Sequence, residues 1–200
     1  MNFFPRHSFY IGEGVIPRGR LASKVTGFEE VAFPHLPLLY RVAYRLTGQR
    51  ADAEDLVQET LFKAFRSFHQ FQGGTNCKAW LLTILRHTHL DHVRKTAKEP
   101  PTEPWDEAEP LVDGSQLSVE QIELALEKAL PTEVEQALQG LPSQQRLTVI
   151  LADLEEMRYE EIARVLDCPV GTVRSRLHHG RALLRRRLWE FARMRGYIKP

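Results

Sequence analysis

The stretch YEEIARVLDCPVGTVRSRLHHGRALLRRR, residues 159–187, narrows the folds open to this chain more than any other. Its opening residues set Ile162, Ala163 and Leu166 on one side, the spacing of a short helix buried along one face. Asp167 and Cys168 make a turn, and Pro169 opens the next helix, since a first-turn residue needs no amide hydrogen. On a 3.6-residue period Val173, Leu177, Gly180, Leu184 and Leu188 line one face of a helix that should run to about Arg193. Arg174, His178, Arg181 and Arg185 fall about a quarter-turn away, with Ser175, His179 and Arg186 farther round. A short helix, a turn and a strongly basic second helix make a helix-turn-helix. The plainer alternative is an amphipathic helix with a solvated arginine face, which the order of the three parts disfavours.

Helical periodicity continues through the chain, and no strand-like alternation of useful length interrupts it, so the expected fold class is all-α. Residues 1–30 carry Gly12, Gly14, Pro17 and Gly19 and read as a flexible arm. A first helix is expected from Pro37, with Leu39, Val42, Ala43 and Leu46 inward and Gly48 ending it. A second runs from about Asp52 to Phe68 on an apolar line through Ala53, Leu56, Val57, Leu61, Ala64, Phe65 and Phe68. After the loop FQGGTN a third spans about Cys77 to Lys98, and these helices form a compact domain over 31–98. Pro100, Pro101, Pro104 and Pro110 then mark a non-helical linker over 99–130, with a short helix at its end. Ser118 and Gln121 supply a capping box for that helix, and Leu117 with Ile122 a hydrophobic staple. A second small domain over 131–195 holds helices at about 132–139 and 143–155 before the helix-turn-helix.

Charge is segregated although the formal net is only +1. Between Glu99 and Glu135 stand eleven acidic residues against Lys128 alone, while Gly171 to Arg195 holds eight arginines against Glu190 alone. A clustered basic helix is the electrostatic footprint of a nucleic-acid binder. The acidic stretch is either a solvated linker or an imitation of nucleic-acid charge. No apolar run approaches the ~18 residues a membrane span requires, and no signal-peptide pattern opens the chain, so membrane insertion is not expected and a cytoplasmic location is. Cys77 and Cys168 are too few and too separated for a disulfide framework or zinc knuckle.

In a helix-turn-helix the second helix enters the major groove, where arginine can make paired hydrogen bonds to guanine. The later arginines, 185 to 187, suit phosphates. The first domain has a different chemistry. Phe65, Phe68, Phe71 and Trp80 bracket a Gly-Gly loop beside a helix whose far end carries Arg86, Arg94, Lys95 and Lys98. Flat rings with cations suit unpaired bases, although Phe65 and Trp80 fit a core equally well. The most enzyme-like cluster is His87, His89, Asp91 and His92. His87 and Asp91 stand i,i+4 and could share a metal, but His89 points elsewhere and no fourth ligand offers itself. Helix surface or DNA contact is the better reading, so no metal, cofactor or catalytic residue is assigned.

Three segments, DAEDLVQETLFKAF (52–65), FQGGTNCKAWLLTILRHTHLDHVRK (71–95) and YEEIARVLDCPVGTVRSRLHHGRALL with LP and QQR before it, resemble the two conserved domains of extracytoplasmic-function sigma factors. The likeness covers about 34–98 and 119–190. It implies a promoter-recognition subunit of RNA polymerase that catalyses nothing itself. Domain 31–98 would bind the clamp of core polymerase through Asp52, Asp55, Gln58 and Glu59. It would read the −10 element as a melted single strand through Phe71, Gly74, Asn76, Lys78, Trp80, Arg86, His87, Arg94 and Lys95, with a flipped base held by the loop Phe71–Lys78. Domain 131–195 would read the −35 element as duplex through Arg174, Ser175, Arg176, His178, His179 and Arg181. The linker would thread the polymerase cleft, and an anti-sigma factor would hold the protein inactive. This chain departs from the family pattern at His87, often Asn, and at Asp167, often Gly, and its arm is longer than many members carry. The competing reading is an autonomous helix-turn-helix regulator, which would bind duplex tightly without polymerase.

Overall fold

A computed structural model of the chain describes residues 27–71, 76–98 and 130–198. Among the described residues every regular element is helical. A short helix over 27–32 (α1) leads through a 3-10 turn at Phe33–His35 into α2, Leu36–Thr47. Residues 27–30, expected to belong to the arm, are therefore ordered, and Phe28 is a core residue at 1% exposure. Its ring meets Phe65 edge-on at 5.5 Å and Phe68 at 5.3 Å, a geometry worth more than apolar area alone. The arm was drawn four residues too far because its breakers, Gly12, Gly14, Pro17 and Gly19, all lie upstream, and a single aromatic carries no periodic signal. The remainder of the arm, 1–26, lies outside the described residues.

Pro37 sits in the first turn of α2, and Gly48 ends the helix in the left-handed region at φ 80°, its N–H bonded to the Tyr44 carbonyl at 2.7 Å. Helix α3, Arg50–Ser67, buries the expected stripe as far as Phe65 and adds Thr60, while Phe68, expected to close the stripe, sits half-buried in the 3-10 turn Phe68–Gln70. The Thr60 hydroxyl returns a hydrogen bond to the Leu56 carbonyl at 2.7 Å and so needs no outside partner. Helix α4, Cys77–Lys98, buries Leu81, Leu82, Leu85 and Thr88 against α2 and α3.

The second half begins with α5, Thr132–Gln139, and α6, Ser143–Val149. A single helix over 143–155 was expected. Instead the backbone widens into a π turn at Ile150–Leu154, where the Glu155 N–H bonds to the Ile150 carbonyl at 3.0 Å. Such bulges re-aim the side chains that follow them. Helix α7, Tyr159–Leu166, ends at Asp167, whose φ of 48° is the left-handed turn between the paired helices. Asp tolerates this conformation better than most residues. Helix α8, Val170–Arg187, buries Val173, Leu177 and Gly180. It stops short of the expected Arg193: the chain bends at Leu188 and resumes as α9, Trp189–Met194. At the bend the exposed Arg187 reaches across the surface and donates to the Gly140 carbonyl at 3.0 Å. The linker with its proposed helix at 118–130 falls outside the described residues up to 129.

The two halves pack against each other and share one continuous apolar core. Helix α2 lies against α5 and α6, and α4 against α7. Among the described residues no helix is long and apolar enough to cross a membrane.

Candidate nucleic-acid interface

Burial of Val173, Leu177 and Gly180 fixes the rotation of α8 and turns Arg174, Ser175, His178 and His179 outward, all exposed. A surface concavity of about 890 Å³ runs along this face, lined by Arg174, His178, His179, Arg181, Arg185 and Arg186 with Gln145 and Tyr159. The rings of His178 and His179 meet edge-on at 5.6 Å. Arg181 faces the same concavity but is held by Asp153, with Nε to Oδ2 at 3.1 Å and Nη2 to Oδ1 at 2.6 Å. That paired bond raises the Arg181 guanidinium further above its ordinary value. Arg176 departs from its neighbours. It is half-buried, turned toward the first half, with Nη1 3.6 Å from the Cys168 sulfur.

The aromatic group of the first half is a stack. Phe71 lies parallel to Phe68 at 6.0 Å and tilted on Trp80 at 4.9 Å. Phe65 is core, whereas Phe71 and Trp80 are half-buried at the edge of the loop. Gly74 lies outside the described residues. Asn76 caps α4 by accepting the Ala79 N–H at 3.0 Å, and its amide donates to Glu161 of α7 at 2.9 Å. Lys78 is half-buried near His35, whose pKa falls through burial first and Lys78 second. Arg86 donates to His87 at 2.6 Å and faces the second half, near Asp167, Cys168 and Arg176. Burial first and Arg86 second lower the His87 pKa. Arg94 and Lys95 are exposed, Arg94 standing 3.9 Å from Asp91.

On α3, Asp52, Asp55 and Gln58 are exposed and share a side of the helix with Glu59. Glu59 is engaged already, accepting from Lys63 at 2.8 Å and from His92 at 2.5 Å. Burial acts to raise its carboxyl, and these two donors outweigh burial and leave it below the usual carboxylate range.

The cluster His87, His89, Asp91 and His92 is dispersed by these contacts. His87 turns to Arg86 and His92 to Glu59, while His89 faces the second half, its pKa lowered by burial, then Arg146 and His92. Among the described residues no three His, Cys, Asp or Glu side chains are grouped to hold a metal ion. Cys77 is buried, donates weakly to the Val31 carbonyl at 3.4 Å and has its thiol pushed up to about 11 by burial.

Sequence reasoning missed the residues that join the halves. Glu155, 3% exposed, receives Arg41 and Arg45, and Arg45 also approaches Glu135 at 3.7 Å. Gln139 donates to the Arg45 carbonyl at 3.0 Å, and Arg146 to the Leu46 carbonyl at 2.7 Å. Arg146 also holds the Gln139 and Leu141 carbonyls. The last carbonyls of α2 are thus satisfied by the second half instead of by water. The one available signal was the i,i+4 pair Arg41 and Arg45 beside the apolar stripe of α2.

Two family models match the chain: Sigma-70 region 2 over residues 34–99 and Sigma-70, region 4 over residues 132–184. The second takes in the whole helix-turn-helix, and the first the aromatic stack and the α3 carboxylates. The chain belongs to the extracytoplasmic-function sigma factors. It is 39% identical over 161 residues to the ECF RNA polymerase sigma factor SigE of Mycolicibacterium smegmatis, covering 79% of this chain and 60% of that one. It is 32% identical over 178 residues to the ECF RNA polymerase sigma-E factor of Haemophilus influenzae, covering 84% and 93%. The ECF RNA polymerase sigma-E factor of Escherichia coli K12 is 36% identical over 134 residues, or 65% and 70% of the two chains. Among solved sigma factors, RpoE of Bartonella quintana, crystallised with the anti-sigma factor NepR, superposes with a TM-score of 0.62 at 29% identity, over 82% of this chain and 97% of that one. SigJ of Mycobacterium tuberculosis gives a TM-score of 0.53 at 28% identity, over 80% and 53%.

Proposed function

We propose that this sigma factor directs promoter-specific initiation by binding energy alone. The observation that carries this reading is the outward face of α8. Arg174, Ser175, His178 and His179 stand exposed on a helix whose opposite face is core. That rigid mount suits base-edge contacts to a −35 duplex, with Arg185 and Arg186 on phosphates. Phe71 and Trp80, with Gly74, Asn76, Lys78, Arg86, His87, Arg94 and Lys95, take the melted −10 strand, where stacking on rings and a cationic border are what unpaired bases need. Asp52, Asp55, Gln58 and Glu59 form an acidic docking face for core polymerase, and the protein acts in the cytoplasm, where polymerase is. The NepR-bound Bartonella relative supports an anti-sigma partner here.

Arg86 and Arg176 cannot keep their present positions on a promoter. The −10 and −35 elements lie roughly 25 base pairs apart, about 85 Å at ~3.4 Å per pair, yet these two side chains line one cleft. The halves therefore separate when polymerase and DNA are bound, and residues 99–129 are long enough to remain a tether at about 3.3 Å per residue.

Run-off transcription with core polymerase on a pool of genomic fragments tests the proposal. Discrete transcripts that depend on the added protein are expected. Failure to bind core, together with tight binding of duplex alone, would instead establish the autonomous regulator.

A further inference from the structure

Most cations at the seam between the halves have close oxygen acceptors. Arg41 and Arg45 meet Glu155, and Arg146 meets backbone carbonyls. Arg86 of α4 and Arg176 of α8 are different. They border a cleft of about 70 Å³ whose other polar edges are His89, Ser143 and Gln144, over a wall of leucines, and no carboxylate lines it. Asp167 is near enough to favour the Arg86 cation but forms no ion pair with it. The Arg86 Nε, like that of Arg146, is buried without a hydrogen-bond partner. The Arg146 Nη atoms, however, hold carbonyl oxygens, whereas the Arg176 guanidinium makes a long bond to the Cys168 sulfur.

Two guanidiniums facing each other at a seam repel, and an unpaired buried donor adds a desolvation cost. The cleft is several times the ~10–15 Å³ that a cavity needs to admit one water. We propose that it binds a small tetrahedral oxyanion, inorganic phosphate foremost, which bridges Arg86 to Arg176. Arginine suits this task, since its planar fork offers two parallel N–H donors to such an ion. His89 and the Ser143 and Gln144 side chains complete the ring of polar groups. The ion stabilises the closed arrangement by its preference for that state over the separated one. Because both arginines are proposed promoter contacts, one in each half, the ion and a promoter exclude each other. That consequence rests on the promoter reading; the binding itself does not.

Calorimetric titration of the full chain with sodium phosphate, at ionic strength held constant with sodium chloride, tests the site. Saturable binding of one equivalent is expected. Arg86→Gln and Arg176→Gln each weaken it at least tenfold, and Arg164→Gln, an exposed arginine of α7, leaves it unchanged. Absence of saturable heat overturns the proposal, and so does equal weakening in all three variants, which marks diffuse attraction to basic surface. If Arg86→Gln loses its helical circular dichroism, the half-exposed Arg176→Gln decides alone. A nucleoside triphosphate should bind at least tenfold more weakly, because sugar and base exceed the cleft; tighter binding overturns the assignment to a free ion. Run-off transcription is read separately, so failure of this site and failure of the promoter role remain distinguishable.

Discussion

Arg41 of α2 grips Glu155 with two parallel hydrogen bonds, Nε to Oε1 at 3.0 Å and Nη2 to Oε2 at 2.6 Å, across 114 positions of sequence. Arg45, one turn on, adds a third to Oε1 at 2.9 Å. The π turn before Glu155 and the left-handed Glu156 after it, φ 51°, aim the carboxylate into the seam. These three bonds tie the halves together through one nearly buried carboxylate.

Glu155→Ala takes from Arg41 its paired carboxylate and leaves Arg45 with the more distant Glu135 at 3.7 Å. Breaking a near-buried pair of this kind costs about 3–5 kcal/mol in comparable sites. Urea denaturation should record that loss, and small-angle scattering a larger radius of gyration as the seam opens. An unchanged radius with unchanged stability would mean the tie contributes nothing to closure.

Arg174→Ala removes an exposed side chain of α8 and should weaken −35 recognition by about 1–3 kcal/mol while leaving affinity for core polymerase intact. Arg176→Ala should do the same to transcription once the halves have separated. Filter binding to core and run-off on a defined promoter measure the two properties independently. Loss of core affinity in either variant contradicts the proposed division between halves.

Asp55→Ala combined with Glu59→Ala should weaken core binding first. Glu59 also has a structural effect, since it is bound by Lys63 and His92. Asp55→Ala alone should therefore lower core affinity with little effect on melting temperature, whereas Glu59→Ala lowers both.

Acid should loosen the seam. Burial, Arg146 and His92 depress the folded-state pKa of His89 below its ordinary 6.5. A proton therefore binds the unfolded chain more readily, so stability is full above about pH 6.5 and falls as pH drops toward the folded pKa. His35 and His87 are depressed as well and contribute in the same direction. Glu59, lowered in the folded state, adds its own loss only below about pH 4.5. Urea midpoints from pH 7.5 to 5 should fall less steeply in His89→Gln than in the native chain.

Gly180 marks the close approach of α8 to α6. A Cβ there meets Val149 Cγ2 at 2.8 Å and Gln145 Cβ at 3.5 Å. Overpacking of this kind costs about 1–3 kcal/mol, against about 1 kcal/mol gained in helix propensity, so Gly180→Ala should lower the melting temperature. Gly171→Ala, with nothing within 4 Å of the added carbon, should raise it.

Much of this molecule is local. The stripes of α2, α3, α7 and α8, the stop at Gly48 and the turn at Asp167 follow from residues three or four apart and from single backbone preferences, so they can be read from the chain in order. The same periodicity turned Arg174, Ser175, His178 and His179 outward. It could not say what Arg176 faces, because that side chain looks across a seam at Arg86, in another half. Nor could it find Glu155: a regular helix through 143–155 points that residue elsewhere, and the π turn that redirects it forms among packed neighbours. The sequence alone determined that these segments are helical and which face of α2, α3, α7 and α8 is apolar. Only the tertiary structure decided which apolar faces meet, and hence which charges pair and which are left opposed, since docking brings together residues that no local period relates.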